Sequence, residues 1–330
     1  MRERVARAIG ISSEVMYRMI SARTLRVLLC LPLFLGACRE KEPPRAAGVD
    51  EDAALRLTLA SFNVRYEGPA EEPWREWPNR IHRVVKTVRG IDPDVLGVQE
   101  ALHGQCADLR ASMPDYAFTG AGRDDGREQG EYAAIFYRRD RFEADPADRG
   151  MFWLSDRPEQ PGSMTWGNEY PRVATWVRLI DRATAKAFYV FNTHWDHRNQ
   201  PSREKAALLI SERINARNRR DEPVVLLGDF NAADANPAVA YFTGKRVSLS
   251  GSSVPPLRAP FVDVFRSVVP AGRGQQTLHL WRPLREGWPR IDHILVTAGA
   301  KVEATGIQRA RTIEEQPSDH FPVWARVIWP

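Results

Sequence analysis

The sequence predicts an α/β protein of two packed sheets with helices outside them. Three observations lead there. Short strand-like runs recur from residue 55 to the C-terminus, most of them bounded by turn residues. Helical periodicity is confined to a few segments between them. Several apolar runs end in an acid, an amide or an imidazole, as Val224–Leu227 does when it meets Gly228-Asp229-Phe230-Asn231. Strands that alternate with few helices bury best as sheet on sheet.

In order, Leu55, Leu57 and Leu59 share one parity and begin a strand that ends in Ser61-Phe62-Asn63-Val64-Arg65. A loop over 67–78, rich in Glu, Pro and Trp, precedes a helix starting near Pro78. Its apolar set Ile81, Val84, Val85, Val88 follows i, i+3, i+4, i+7, and Asp92-Pro93-Asp94 breaks it. Val95-Leu96-Gly97-Val98-Gln99-Glu100 is a buried strand whose last residue is a hard-metal ligand type or an exposed strand-end charge. A helix is expected over 102–113, then strands over 116–119, 131–137, 150–154 and 173–180, with loops at 122–130 and 161–171. The strand 187–194 ends in Thr193-His194-Trp195-Asp196-His197, whose spacing fits no standard structural zinc set. His194 is read as a phosphate-oxygen donor and His197 as a loop or supporting residue. A helix follows over 202–214 with Ser202 as N-cap.

In the strand 224–231, Asp229 and Asn231 have the same parity and point the same way on an extended chain. Alone, the pair reads equally as an Asx turn. Residues 243–259 and 270–276 are expected loops. Strands follow over 290–296 and 302–309, and Ser318-Asp319-His320-Phe321-Pro322 leads into a last strand, 323–328.

The 330 residues are 43% hydrophobic and 27% charged, ordinary for a soluble globular protein. Many of the ten tryptophans lie near expected loops (Trp74, Trp77, Trp166, Trp195, Trp281, Trp288) and are read mostly as rim packing. The net charge of +5 is concentrated at the N-terminus: residues 1–38 hold six arginines and two glutamates, a net of +4, leaving +1 for the rest. A near-neutral body supplies no electrostatic argument for nucleic acid.

Arg23 and Arg26 precede the apolar run Val27–Leu35, which closes on Leu35-Gly36-Ala37-Cys38. A basic segment, a short apolar core and small residues make a secretory signal, and the core is too short to span a bilayer. The last four residues resemble a bacterial lipobox, making Cys38 the expected lipidation site; the alternative is a plain signal peptide with an incidental cysteine. Met16 or Met19 is a candidate start. Residues 39–54 read as a flexible tether, and Cys106, alone in the expected mature body, forms no internal disulfide. The expected organisation is a signal with lipobox over 1–38, the tether, and a catalytic domain over 55–330. The expected location is exported and anchored to a bacterial membrane, periplasmic or at the cell surface.

Asn63, Glu100, His194, Asp229, Asn231, Asp292, Asp319 and His320 all fall at strand ends or just past them. Carboxylates without cysteine favour Mg²⁺ or Mn²⁺, which polarise phosphoryl oxygens. The implied reaction is hydrolysis of a phosphate ester.

Ser-Phe-Asn (61–63), Gly-Val-Gln-Glu (97–100), Asn-Thr-His (192–194), Gly-Asp-Phe-Asn (228–231), Ile-Asp-His (291–293) and Ser-Asp-His-Phe-Pro (318–322) stand in the order found in the endonuclease/exonuclease/phosphatase superfamily, which residues 55–330 resemble. Gly130–Tyr137, Phe152–Ser155 and Arg172 resemble a bacterial branch of it. The resemblance implies a four-layer α/β/β/α sandwich of two mixed sheets with outer helices. It implies Glu100 as the principal ligand of one or two Mg²⁺ or Mn²⁺ ions, Asp319 as a ligand of metal or its water, and Asn63 contacting metal-bound water or phosphate. It further implies Asp229 orienting or deprotonating the attacking water, Asn231 holding the phosphate, and His194 stabilising developing charge. His320, paired with Asp292, would bind phosphate or act as acid/base. Arg65, where abasic-site endonucleases carry Asp, argues against that subgroup; His293 stands where many relatives have Tyr or Trp, and either adds a ligand or packs.

The function expected is thus a divalent-metal-dependent hydrolase of phosphodiesters or phosphomonoesters (nucleic acid, phospholipid headgroup or small ester), tethered to a membrane and monomeric. The alternative is a non-catalytic binding module that kept the fold; retention of Glu100, Asp229 and His320 weighs against it.

Overall fold

The computed structural model describes residues 54–69, 72–283 and 288–330. The expectations for the signal, for Cys38 and for all but the last residue of the tether lie outside those residues. Among the described residues no helix is long and apolar enough to cross a membrane.

The strands are β1 (Leu55–Asn63), β2 (Val95–Gln99), β3 (Tyr116–Thr119), β4 (Ala133–Arg138), β5 (Phe142–Trp153), β6 (Val173–Asp181), β7 (Ala187–His194), β8 (Val224–Asp229), β9 (Val247–Leu249), β10 (Ser252–Val254), β11 (Phe261–Asp263), β12 (Asp292–Thr297), β13 (Lys301–Ile307) and β14 (Val323–Trp329). The helices are α1 (Trp77–Ile91), α2 (His103–Ser112), α3 (Gln200–Asn215) and α4 (Pro237–Phe242). One sheet runs β13-β14-β1-β2-β4-β3 and the other β11-β12-β8-β7-β6-β5. Both are mixed: β1 and β2 pair in parallel, as do β7 and β8, and the remaining neighbours are antiparallel.

Alternation along each strand builds the layers. Leu55, Leu57 and Leu59 of β1 meet Val225 and Leu227 of β8 in the core between the sheets. The opposite parity, Ala60 and Phe62, packs on Trp77, Val84 and Val88 of α1 and on Cys106 and Leu109 of α2. Likewise Val224 and Leu226 face Ala206, Ile210 and Ile214 of α3 and Val239 and Phe242 of α4. The result is helices, sheet, sheet, helices, the four layers expected.

Towards one end the inter-sheet layer changes from apolar to polar. Asn192 of β7 donates to the carbonyls of Val98 (3.0 Å) and Ala134 (2.7 Å) across the interface and accepts from Gln99 Nε2 at 2.7 Å. These bonds pin one sheet to the other just beneath the site. Gly97 makes room for this approach: a Cβ there would lie 1.9 Å from Leu227 Cδ1 and 3.0 Å from the Asn192 amide. Gly97→Ala is therefore expected to destabilise by about 1–3 kcal/mol, because Leu227 has no free space to rotate into. Urea unfolding measures this; an unchanged midpoint would show that the sheets can part there at no cost.

Some local expectations are corrected. Asn199 rather than Ser202 caps α3, accepting from Ser202 N at 3.0 Å. Strand β5 begins at Phe142, eight residues before the expected start, and carries a register shift between Ala144 and Arg149 that broke the alternation. The 243–259 loop contains the β9–β10 hairpin. Trp77 and Trp195 are core residues, 2% and 0% exposed, not rim.

Candidate active site

Topology decides what gathers at the polar end. Strands β1, β2, β7 and β8 finish there, delivering Asn63, Glu100, His194 and Asp229. Strands β4, β6, β12 and β14 run antiparallel to those neighbours, so their beginnings lie at the same end. They deliver Glu131, Arg172, Asp292 and the Asp319-His320 pair. The register places His194 opposite Asp229 and Asp229 opposite Asp292. A cleft of about 520 Å³ opens there, lined by Glu100, His194, Asp229, Asn231, Asp319 and His320 among others. All eight predicted residues are brought together; Asn63 and Asp292 lie beneath the cleft, both 0% exposed.

Asn63 organises two of the carboxylates. Its Nδ2 donates to Glu100 Oε1 at 2.9 Å and to Asp229 Oδ2 at 3.0 Å, while its Oδ1 accepts from Arg65 N at 3.0 Å. Glu100 turns back from its strand through a left-handed backbone, φ 67°, and accepts from Tyr66 N. Asn231 is also left-handed, φ 47°; its N–H donates to Asp229 Oδ1 at 2.8 Å and its side chain to Trp195 O at 3.0 Å. Non-glycine residues held there cost about 1–3 kcal/mol each and cluster at functional sites.

His320 Nδ1 lies 2.9 Å from Asp292 Oδ2, and its Nε2 lies 3.7 Å from Asp229 Oδ2. Burial opposes its charge, but Asp292, Asp229 and Asp319 outweigh burial and push the imidazole up to about 10. Burial first, then the Asp292 charge, pushes Asp229 up to about 7. Asp319 is raised by burial, and Glu100 is held low because Arg65 and His320 overcome its burial. His194 is the opposite case: burial, then Arg172 and Arg123, keep it neutral, with a pKa well below the usual imidazole value.

A folded value near 10 exceeds the unfolded imidazole value of about 6.5. The His320–Asp292 pair thus adds stability that is complete below pH ~6.5 and is lost as pH rises through 10. In metal-free protein, ring nitrogen NMR should find His320 protonated at pH 8 and the Asp292→Asn variant deprotonated. A neutral His320 at pH 8 in the wild type would remove this account.

Sequence reading gave no role to Arg123, Glu131 or Arg172. Arg123 grips Glu131 through both terminal nitrogens, at 2.5 and 3.0 Å, and Glu131 Oε2 lies 3.6 Å from His194 Nδ1. Arg172 Nη2 meets His197 Nδ1 at 3.1 Å, and its Nε and Nη1 find no hydrogen-bond partner among the described residues. Burial, then the Glu100 charge, pushes Glu131 up to about 7. The signal available was position: Glu131 and Arg172 stand at the beginnings of antiparallel strands. His293 packs, stacked on Phe230 at 5.0 Å with Nε2 against Ala232 O.

The donor set suits a hard divalent cation. Glu100, His194 and Asp229 each offer a ligand atom within 4.8 Å of the others, as do Asp229, Asp292 and His320. The raised Asp229 and Asp319 are only partly compensated by His320, Arg65 and Arg80, and no thiolate joins these groups among the described residues, so a hard cation fits them better than a soft one.

Comparison with known proteins agrees with this geometry. A model of the endonuclease/exonuclease/phosphatase family matches residues 60–320. The crystal structure of an endonuclease/exonuclease/phosphatase from Bacteroides vulgatus is 35% identical and superposes with a TM-score of 0.74, covering 83% of this chain and 98% of that one. A mannosyl-6-phosphatase from Bacteroides thetaiotaomicron is 29% identical, with a TM-score of 0.69 over 82% and 99% of the two chains. Nocturnin of Drosophila melanogaster is 25% identical over 81% of this chain and 44% of its own. The chain spans about half the length of the curated relatives it matches.

Proposed function

The chain belongs to the endonuclease/exonuclease/phosphatase family, and on that premise we propose that it is a divalent-metal-dependent phosphoesterase acting outside the cytoplasm, anchored by lipid on Cys38. The observation that carries the catalytic reading is the convergence of a charged His320–Asp292 pair, a near-neutral Asp229 and Glu100 on one cleft. No electropositive body argues for a polymeric nucleic acid. The likeness to a mannosyl-6-phosphatase favours a small phosphomonoester.

Glu100, with Asp319 beside it, would hold Mg²⁺ or Mn²⁺; such an ion polarises the phosphoryl oxygens and neutralises charge on the leaving group. His320, kept protonated by Asp292, binds a phosphoryl oxygen as a fixed cation. Asp229, held by Asn63 Nδ2 and Asn231 N, orients the attacking water and takes its proton. Asn63 holds Asp229 and Glu100 at a set separation, and Asn231 lines the phosphate position. Neutral His194 donates to the oxygen that gains charge. The water oxygen forms the new P–O bond, the ester P–O bond breaks, and the proton ends on the released alcohol.

The test is a panel of bis-p-nitrophenyl phosphate, p-nitrophenyl phosphate, sugar phosphates, nucleotides, sphingomyelin and plasmid DNA, with Mg²⁺ or Mn²⁺ and with chelator. Chelator-sensitive turnover of a monoester is expected. Metal binding by the folded protein with silence across the panel would favour a binding module. Palmitate labelling in bacteria should mark the wild type and not Cys38→Ser; equal labelling would remove the anchor.

A further inference from the structure

Arg123, Glu131, Tyr170, Arg172 and His197 line the catalytic cleft, and the reaction described above uses none of them. They form two touching groups. Arg123 grips Glu131 and lies 5.3 Å from the centre of the Tyr170 ring. Arg172 donates from Nη2 to His197 Nδ1 at 3.1 Å, and its Nε lies 4.0 Å from Asp196 Oδ2. The two arginines are 6% and 4% exposed, so these cations stand behind the wall rather than on it. What the wall presents is Tyr170, 45% exposed, and the exposed His197.

The second group fixes a tautomer. A guanidinium only donates, so His197 Nδ1 is the acceptor and the ring hydrogen sits on Nε2. Burial, then the Arg172 charge, holds the imidazole below its ordinary pKa, against the opposing charge of Asp196. Nε2 has no hydrogen-bond partner among the described residues. His197 is therefore a neutral donor held by a buried cation. The loops that carry it and Tyr170 are tied together. Asn199 Nδ2 donates to Trp166 O and Gly167 O, each at 3.0 Å, and Asn168 Nδ2 donates to Tyr170 O at 3.2 Å. Asp196 Oδ1 accepts from Arg198 N at 2.8 Å and Asn199 N at 2.6 Å, which turns the chain around His197.

We propose that Tyr170 and His197 form the leaving-group subsite of the phosphoesterase site, and that it takes a neutral, hydroxyl-bearing ring such as a hexose. The C–H face of the sugar lies on the Tyr170 ring, and a hydroxyl oxygen accepts from His197 Nε2. An aromatic face beside a fixed polar group matches a ring that is apolar on its face and polar at its edge. A second phosphate is disfavoured there, because the cations behind the wall are buried and already face Glu131 and Asp196. This rests on the phosphoesterase reading, and it narrows the substrate class to monoesters of polyhydroxylated rings.

The full chain in detergent provides the test, with monoesters of equal charge. They are the 6-phosphates of glucose, mannose and galactose, then cyclohexylmethyl phosphate, which keeps the ring without hydroxyls, n-heptyl phosphate, which has no ring, and adenosine monophosphate. With metal, kcat/KM is compared; with chelator, which stops turnover, equilibrium binding of the same compounds is measured. At least one hexose phosphate is expected to exceed cyclohexylmethyl phosphate about tenfold or more by both measures. His197→Ala should cut that ratio about tenfold, mostly through KM, and His197→Gln, whose amide nitrogen replaces Nε2 as donor, should restore part of it. Tyr170→Ala should lower the ratio of cyclohexylmethyl to heptyl phosphate about fivefold. Equal treatment of these esters by the wild type, a hexose preference that survives His197→Ala, or a nucleotide preferred over every hexose phosphate overturns the subsite. Hexose-selective binding without hydrolysis of any ester supports the subsite and sinks the catalytic reading instead; hydrolysis without selectivity does the reverse.

Discussion

Glu100→Gln is expected to lower chelator-sensitive kcat/KM about a thousandfold or more with the fold intact, a loss at the upper end of those seen when one charge-stabilising group is removed. The substitution keeps the side-chain length, and its single amide oxygen can keep the bond from Asn63 Nδ2 or the one from Tyr66 N but not both, since these donors use different oxygens of Glu100. What disappears is the negative charge that would hold the metal. The same charge raises the pKa values of Glu131 and Asp319, which burial already disfavours as anions. Its removal relieves these two neighbours but also takes away the charge that Arg65 and His320 stabilise, so thermal stability without metal should change little. Kinetics and a melting curve on the same preparation separate the effects. Retention of more than a tenth of the activity in a folded protein would remove Glu100 from the centre of the site.

Arg290→Met should cost about 3–5 kcal/mol of stability, the usual result of removing one partner from a buried ion pair. The Arg290 side chain is 1% exposed, and one nitrogen donates to Asp234 at 2.6 Å and to Asp263 at 2.5 Å. Asp234, Asp263 and His293 have the spacing of a metal site, but this guanidinium already occupies the space between the two acids. Without it two carboxylates face each other beside the His293 ring, whose Nδ1 lies 3.9 Å from Asp234 and 3.8 Å from Asp263. Burial pushes Asp263 up, yet His293 and Arg290 outweigh burial and hold it well below the usual carboxylate range. A depressed folded value contributes stability that is present above the unfolded carboxylate pKa of about 3.9 and is lost as pH falls towards the folded value. The wild type should therefore lose stability in acid from pH ~5 downward, and Arg290→Met should show a much shallower loss. Urea midpoints at pH 7 and pH 4 check both; equal acid slopes would place the proton uptake elsewhere.

Most strand positions were legible because alternation is a local property. Leu55, Leu57 and Leu59 reveal their shared face without knowledge of what covers it. The helix α4, six residues long, and the three-residue strands β9, β10 and β11 escaped, being too short to show a period. Trp195 looked like a loop residue because polar neighbours flank it; its ring is stacked on Phe230 at 4.3 Å in the core.

By itself the sequence determined the candidate site residues that follow buried runs: Asn63, Glu100, His194 and Asp229 are polar groups at points where a strand must leave the core, and the later Asp292 and His320 motifs complete the set. Only the tertiary structure decided which strands run against these, and hence that Glu131 and Arg172, at strand beginnings, share the cleft. It alone decided that Asn192 and Gly97 let the sheets close beneath the site, and that Arg290 lies between Asp234 and Asp263. The physical reason is range. Side-chain direction along a strand follows from the backbone's two-residue repeat, whereas strand direction, register and the distance between sheets arise from packing residues that lie far apart along the chain.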